Sequence, residues 1–260
     1  MTLGTASPSS RRRDRPGSAL ATAILIVTMA APAQSVPPQE AAPSEGPTSE
    51  TWFDRMISED CPRAVESRKI QQRFADQRRA SPIKVVTRPA LQRELILLAE
   101  QDQEARHFAM SSNAGHSGRD VDRAHMTDVD SANLRRLKQI IRQDGFPNAR
   151  MVGYNGMQAA WLLVQHADSD PAFQAQMLPI VTRRVHGGDL DPQNYALLTD
   201  RVLLAQGKPQ RYGTQFEIQE GALTVRALDD PSHVDQRRRE LGLIPLKDYT
   251  CILKATAEIR

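Results

Sequence analysis

Three places in this chain carry polar residues where a helical apolar pattern calls for carbon. The first is Gln165-His166-Ala167-Asp168, which closes the run AAWLLVQHAD; His166 falls on the side of Leu162 and Leu163. An imidazole titrates near neutrality and serves as acid, base or metal ligand. It is equally at home, chemically idle, at a helix C-terminus, where the dipole favours it. The second is Asp200-Arg201 within NYALLTDRVLLA, with Ala196, Leu197, Leu203 and Leu204 at helical spacing around Asp200. A carboxylate so placed needs a partner or it neutralises. It is either a preorganised acid, base or ligand-holding group, or half of an ion pair that joins two helices. The third is Asp102, which continues the stripe of Leu91, Leu95, Leu98 and Ala99 and stands four residues before Arg106, close enough to pair along a helix.

A fourth candidate is a loop. Gly207-Lys208-Pro209-Gln210-Arg211-Tyr212-Gly213-Thr214-Gln215 joins a helical to an extended pattern. Loops on a rigid scaffold often carry function, although Gly207 as a helix cap and Gly213 as a turn former explain much of its composition. These features define a provisional polar cleft. His166, Asp200 and Asp102 are its candidate catalytic groups, and Gln165, Asp168, Arg201, Lys208, Gln210, Tyr212 and Gln215 its candidate ligand contacts. No HExxH, CxxC, GxSxG, P-loop or strand-linked GxGxxG occurs. Gly115-His116-Ser117-Gly118 has the wrong spacing for a serine elbow, and His107, His116, His125, His186 and His233 show no ligand spacing. Neither a metal nor a cofactor is expected.

The elements that must position these groups are mainly helical. Cys61-Pro62 opens a polar helix running to about Arg79, and Pro89 starts a second helix. Ser111–Asp120 is loop-like in composition. A helix from about Asp130 to Gln143 carries Leu134, Leu137, Ile140 and Ile141 on one face and closes at Asp144-Gly145. After a loop over Phe146–Tyr154, Gly156–Ala167 is apolar on most sides, which predicts burial on most sides. Asp170-Pro171 and Asp191-Pro192 each start a further helix. Thr214–Gln219 and Leu223–Leu228 read as a hairpin around Glu220-Gly221. A last helix spans Pro231–Leu241, and a tail runs through Tyr249 and Cys251. The fold class is mainly α: a multi-helix domain with one short β-hairpin near the C-terminus.

Upstream, Arg11, Arg12, Arg13 and Arg15 precede the uncharged run Ser18–Ala31, and Ala31-Pro32-Ala33 offers small residues at the positions a signal peptidase reads. Residues 1–33 therefore read as a secretory signal, 34–50 as a Pro-, Ser- and Glu-rich linker, and 51–260 as one domain. The run is shorter than the ~20 residues that span a bilayer, so no stable membrane span is expected after cleavage; the alternative is an uncleaved anchor. Of 34 basic and 31 acidic residues, the signal holds four arginines and one aspartate, leaving 30 of each sign. The basicity that would point to nucleic acid is thus absent from the exported part. Arg237-Arg238-Arg239 reads as a solvated helix face. Cys61 and Cys251 are the only cysteines. In an oxidising compartment they are expected to pair, the alternative being two buried thiols.

The segments DQEAR (Asp102–Arg106), PNARMVG ending at Gly153, AAWLLVQHAD, YALLTDRV, GKPQRYGTQ and VDQRRRELGLIPLKDY together resemble an uncharacterised bacterial family, a domain of unknown function. The resemblance covers Leu91 to Tyr249. It implies one compact domain, with Ser111–Asp120 as its variable loop, and brings no activity. The residues lead to an exported protein, periplasmic or extracellular, that binds a small molecule or peptide in a polar cleft. The alternatives are a hydrolase or lyase with His166 as general base oriented by Asp200 or Asp102, and a purely structural or interaction domain.

Overall fold

The computed structural model of the protein describes residues 61–65, 69, 85–111 and 116–256. The signal and linker expectations, and the greater part of the first helix, lie outside the described residues. Residues 62–65 and 69 are helical.

Helix α1, Pro89–Ser111, begins with its proline in the first turn, where no intrahelical N–H is required. It buries Leu91, Leu95, Asp102 and Ala105. Helix α2, His116–Asp144, packs against it through Asn133, Leu134, Leu137 and Ile140. The expected loop over Ser111–Asp120 is therefore helical from His116 onward. The first half of α2 is so polar that no apolar period marks it. At its end Gly145 takes φ +74° and returns its N–H to the Ile141 carbonyl.

Helix α3, Ala149–Gln165, starts within the stretch expected to be a loop. Asn148 caps it, its side chain accepting the Met151 N–H at 3.0 Å. At Gly153 the helix breaks, with φ 67° and ψ 176°, a conformation that favours glycine. A Cβ at that position would also stand 3.0 Å from the Gln92 amide of α1. From Gly156 onward every residue except Gln158 is buried, as an all-round apolar helix requires. Helices α4, Pro171–His186, and α5, Pro192–Ala205, follow their Asp-Pro starts. Asp170 caps α4 by accepting the Phe173 N–H. Leu95, Leu137, Met157, Val164, Leu190 and Leu198 form the centre of the main core between these five helices.

Strands β1, Phe216–Gln219, and β2, Ala222–Val225, pair antiparallel from Phe216↔Val225 to Gln219↔Ala222. The turn is the expected one, with Glu220 and Gly221 both at positive φ. The strands are shorter than the extended pattern because the adjoining N–H groups are committed elsewhere. The Thr214 N–H goes to Asp200 and the Gln215 N–H to Gln210. A 3₁₀ turn, Pro231–His233, leads into helix α6, Val234–Glu240. The expected tail is helix α7, Leu246–Thr256. It carries Tyr249, Ile252 and Leu253 into a second core with Phe216, Leu223, Ile244 and Ala64. Cys61 and Cys251 form a disulfide there, with Cα atoms 5.9 Å apart. No described helix is long and apolar enough to cross a membrane.

Candidate functional site

The candidate residues fall into two groups with different geometry. The first gathers where α3 ends. His166 caps that helix, its backbone N–H bonded to the Leu162 carbonyl. Its ring is 2 % exposed and meets Asp102 of α1, Nδ1 lying 2.7 Å from Oδ2. One turn further along α1, Arg106 reaches both Asp102 (Nε to Oδ2, 3.3 Å) and Asp130 of α2 (Nη2 to Oδ1, 2.6 Å). Arg106 Nη1 also contacts the Met126 sulfur at 3.5 Å, and Gln103 donates to Asp102.

The proton positions follow from charge. Burial alone would raise the Asp102 carboxyl; the hydrogen bond from His166 together with the Arg106 guanidinium outweighs it and holds the group down at about 2. An ionised carboxylate 2.7 Å from a ring nitrogen requires a hydrogen between them. His166 therefore carries its proton on Nδ1, and Arg106 Nε, 2.9 Å from the same nitrogen, serves the shared carboxylate oxygen. Burial pushes the imidazole down, and the positive charges of Arg106 and Arg201 push it further, against the pull of Asp102. The ring is thus neutral at pH 7, with its lone pair on Nε2. That atom is buried and has no hydrogen-bond partner. Asp130 moves the other way, raised to about 7 by burial and by the negative charge of Asp102, with Arg106 opposing.

Asp168 and Arg201 stand beside this cluster. Arg201 of α5 is 4 % exposed and pairs through Nη1 with Asp168, whose side chain is half-buried. Arg201 holds the Asp168 carboxyl below its usual range, against the rise that burial alone would produce. Gln174 of α4 ties the turn together, donating to the Val164 and Gln165 carbonyls and to Asp168. Arg201 Nε and Nη2 have no partner, and neither do the two amide atoms of the fully buried Gln165 or the Thr199 hydroxyl. A buried polar atom left unpaired costs free energy, and native structures contain few of them. Here they concentrate on His166, Gln165 and Arg201. The arrangement can accept a hydrogen bond or a proton at His166 and donate two at Arg201. Among the described residues no group of three His, Cys, Asp or Glu side chains could hold a metal ion.

The second group lies elsewhere in the fold, and most of its hydrogen-bonding groups are occupied. The Asp200 carboxylate, with no exposed surface, accepts the N–H groups of Arg211, Tyr212 and Thr214 and the Thr214 hydroxyl, all at 2.7 to 2.9 Å. Burial pushes its carboxyl up, against those four bonds. Gln210 donates to the Gln215 and Arg226 carbonyls and accepts the Gln215 N–H. Gln215 donates to the Leu197 carbonyl and the Thr214 hydroxyl; its Oε1 is buried and unpartnered. Tyr212 is buried edge-on against Tyr195, its phenol pushed up to about 12 by burial and by that neighbour. Lys208 is exposed and donates to Gln206. The structure thus divides the expected single cleft. Asp102, not Asp200, is the carboxylate at His166, and the 207–215 loop is held by Asp200.

Arg238 corrects the reading of the arginine run as a solvated face. It is 2 % exposed, donates to the Ile244 and Tyr212 carbonyls, and lies 4.9 Å from the Tyr249 ring centroid. Asp130 went unnoticed for a related reason. It stands in step with Leu134 and Leu137 and continues their stripe, as Asp102 continues that of α1, and that spacing was the available signal.

A family model matches residues 89–260, and the chain belongs to that family, DUF6624, a family of unknown function. The match takes in every residue of both groups and begins at the first residue of α1; Cys61 lies before it. No curated protein and no solved structure matches the chain.

Proposed function

We propose that this is an exported protein whose helical domain binds a small molecule or peptide at the end of α3, between Asp102, His166, Gln165 and Arg201. The observation that carries this reading is the concentration there of buried polar atoms without partners. His166 Nε2, Arg201 Nε and Nη2, and both Gln165 amide atoms all belong to side chains at most 4 % exposed. A scaffold has no use for such atoms, whereas a ligand that pairs them recovers their desolvation cost. Export is supported by the basic, apolar and small-residue sequence of residues 1–33 and by the disulfide. The test is a thermal-shift survey of small acids, amides and phosphates on the purified oxidised chain, repeated on Arg201→Met. A compound that raises the wild-type melting temperature but not the variant's supports the site. Equal shifts on both place binding elsewhere.

The 2.7 Å contact of Asp102 with His166 favours a second reading, a hydrolase or lyase. Asp102 fixes the tautomer that leaves Nε2 free to take a proton, the role of an oriented general base, and Arg201 stands near to stabilise negative charge. His166→Asn would then keep ligand binding and lose turnover. A variant with full turnover removes the base.

A further inference from the structure

The unpartnered atoms also specify a ligand. Arg201 Nε and Nη2 form one edge of the guanidinium, and both are buried without a partner while Nη1 is held by Asp168. That edge presents two near-parallel N–H groups, the geometry that receives two oxygens of a carboxylate or phosphate. Charge decides between them. The two guanidinium groups of this cluster, Arg106 and Arg201, already face Asp102, Asp130 and Asp168. No described lysine pairs into the cluster. A dianion would meet three carboxylates, whereas a planar monoanion takes the free edge and presents little charge beyond it. Gln165, next to His166, has an acceptor and a donor unpartnered on one planar group. A peptide-type amide, with one C=O and one N–H, is its complement.

We propose that the site takes an N-acylated α-amino acid, its carboxylate on the Nε/Nη2 edge of Arg201 and its amide against the Gln165 carboxamide. This rests on the ligand-binding reading above and adds the chemistry of the ligand. Two sources share that chemistry: a free acylated amino acid and the C-terminus of a peptide. A peptide brings a second N–H, for which His166 Nε2 is the acceptor.

The experiment is calorimetric titration of the purified oxidised chain with N-acetylalanine, its carboxamide, N-acetylalanylalanine and inorganic phosphate, alongside melting curves of Arg201→Met and Gln165→Met. N-acetylalanine binds saturably, and the carboxamide binds at least about tenfold more weakly, the loss expected when a charge-assisted pair is removed. Arg201→Met abolishes this preference for the acid. Tighter binding of the dipeptide assigns the peptide C-terminus; equal binding assigns the free amino acid. Equal affinity for acid and carboxamide, tighter binding of phosphate, or no saturation with N-acetylalanine overturns the proposal. Should both variants melt above the wild type while N-acetylalanine fails to bind, the ligand site stands and this ligand class falls. Should both melt well below it, the buried groups are scaffold and both readings fall.

Discussion

Gln165→Met isolates the cost of keeping a polar group unpaired in this core. Gln165 has no exposed surface, and neither Oε1 nor Nε2 has a partner. Its backbone carbonyl, which accepts from Gln174, is untouched by the substitution. Methionine has nearly the same volume and helix propensity, so packing and local backbone preference change little. What changes is the amide, whose burial without a hydrogen bond costs roughly 1–3 kcal/mol by the measure of protein mutations. The ligand-free variant should therefore be more stable by about that amount. For a domain of this size each kcal/mol moves the melting temperature by roughly 2–4 °C. The assay is urea unfolding followed by far-UV circular dichroism, with a higher midpoint and an unchanged slope as the expected signature. A variant less stable than the wild type would refute the reasoning, since it would mean that Gln165 is satisfied in the folded protein and holds nothing in reserve.

Three further outcomes follow from the same structure. Asp200→Asn should destabilise the domain by roughly 3 kcal/mol, because an amide NH₂ would face donors that now point at a carboxylate oxygen; accelerated proteolysis between residues 207 and 215 would locate the damage. The folded-state pKa of Asp130, about 7, lies above its ordinary 3.8. Its contribution to stability is thus fully present below pH ~4 and lost as the pH rises through ~7, at most about 4 kcal/mol. Asp130→Asn should remove that part of the pH dependence, so the stability difference between wild type and variant should change across this window; a constant difference would exclude Asp130 as the titrating group. Reduction of Cys61–Cys251, which closes a separation of 190 residues, should lower stability by about 2–5 kcal/mol. An unchanged melting temperature with two free thiols present would contradict this.

Punctuation and period made most of the fold legible. Pro89, Asp170-Pro171, Asp191-Pro192 and Glu220-Gly221 mark the boundaries they are expected to mark. The misses have two causes. The first half of α2 is dominated by polar side chains, so no apolar stripe announces it; α7 does carry a stripe, Tyr249, Ile252 and Leu253, but it follows Pro245 in what reads as a tail. In the site, Asp102 and His166 were visible as polar residues on apolar faces. Which carboxylate faces the imidazole was not. Asp102 is 64 residues from His166 in sequence and Asp200 is 34, and only the packing of α1 against α3 decides between them. Adjacency misled at Asp200-Arg201: neighbours on a helix point about 100° apart, and these two serve different clusters.

The disulfide also changes how the molecule would carry a load. Cys61 and Cys251 sit at opposite ends of the described chain, so nearly the whole matched domain lies inside the ring they close. Tension applied through the segments outside that ring passes from sulfur to sulfur and bypasses α1 to α6. About 650 Å of chain, at the extension of a stretched backbone, is withheld from any pull. Under such a force the ringed part of an oxidised molecule lengthens hardly at all, and the same part of a reduced one pays out its full contour when the helices give way.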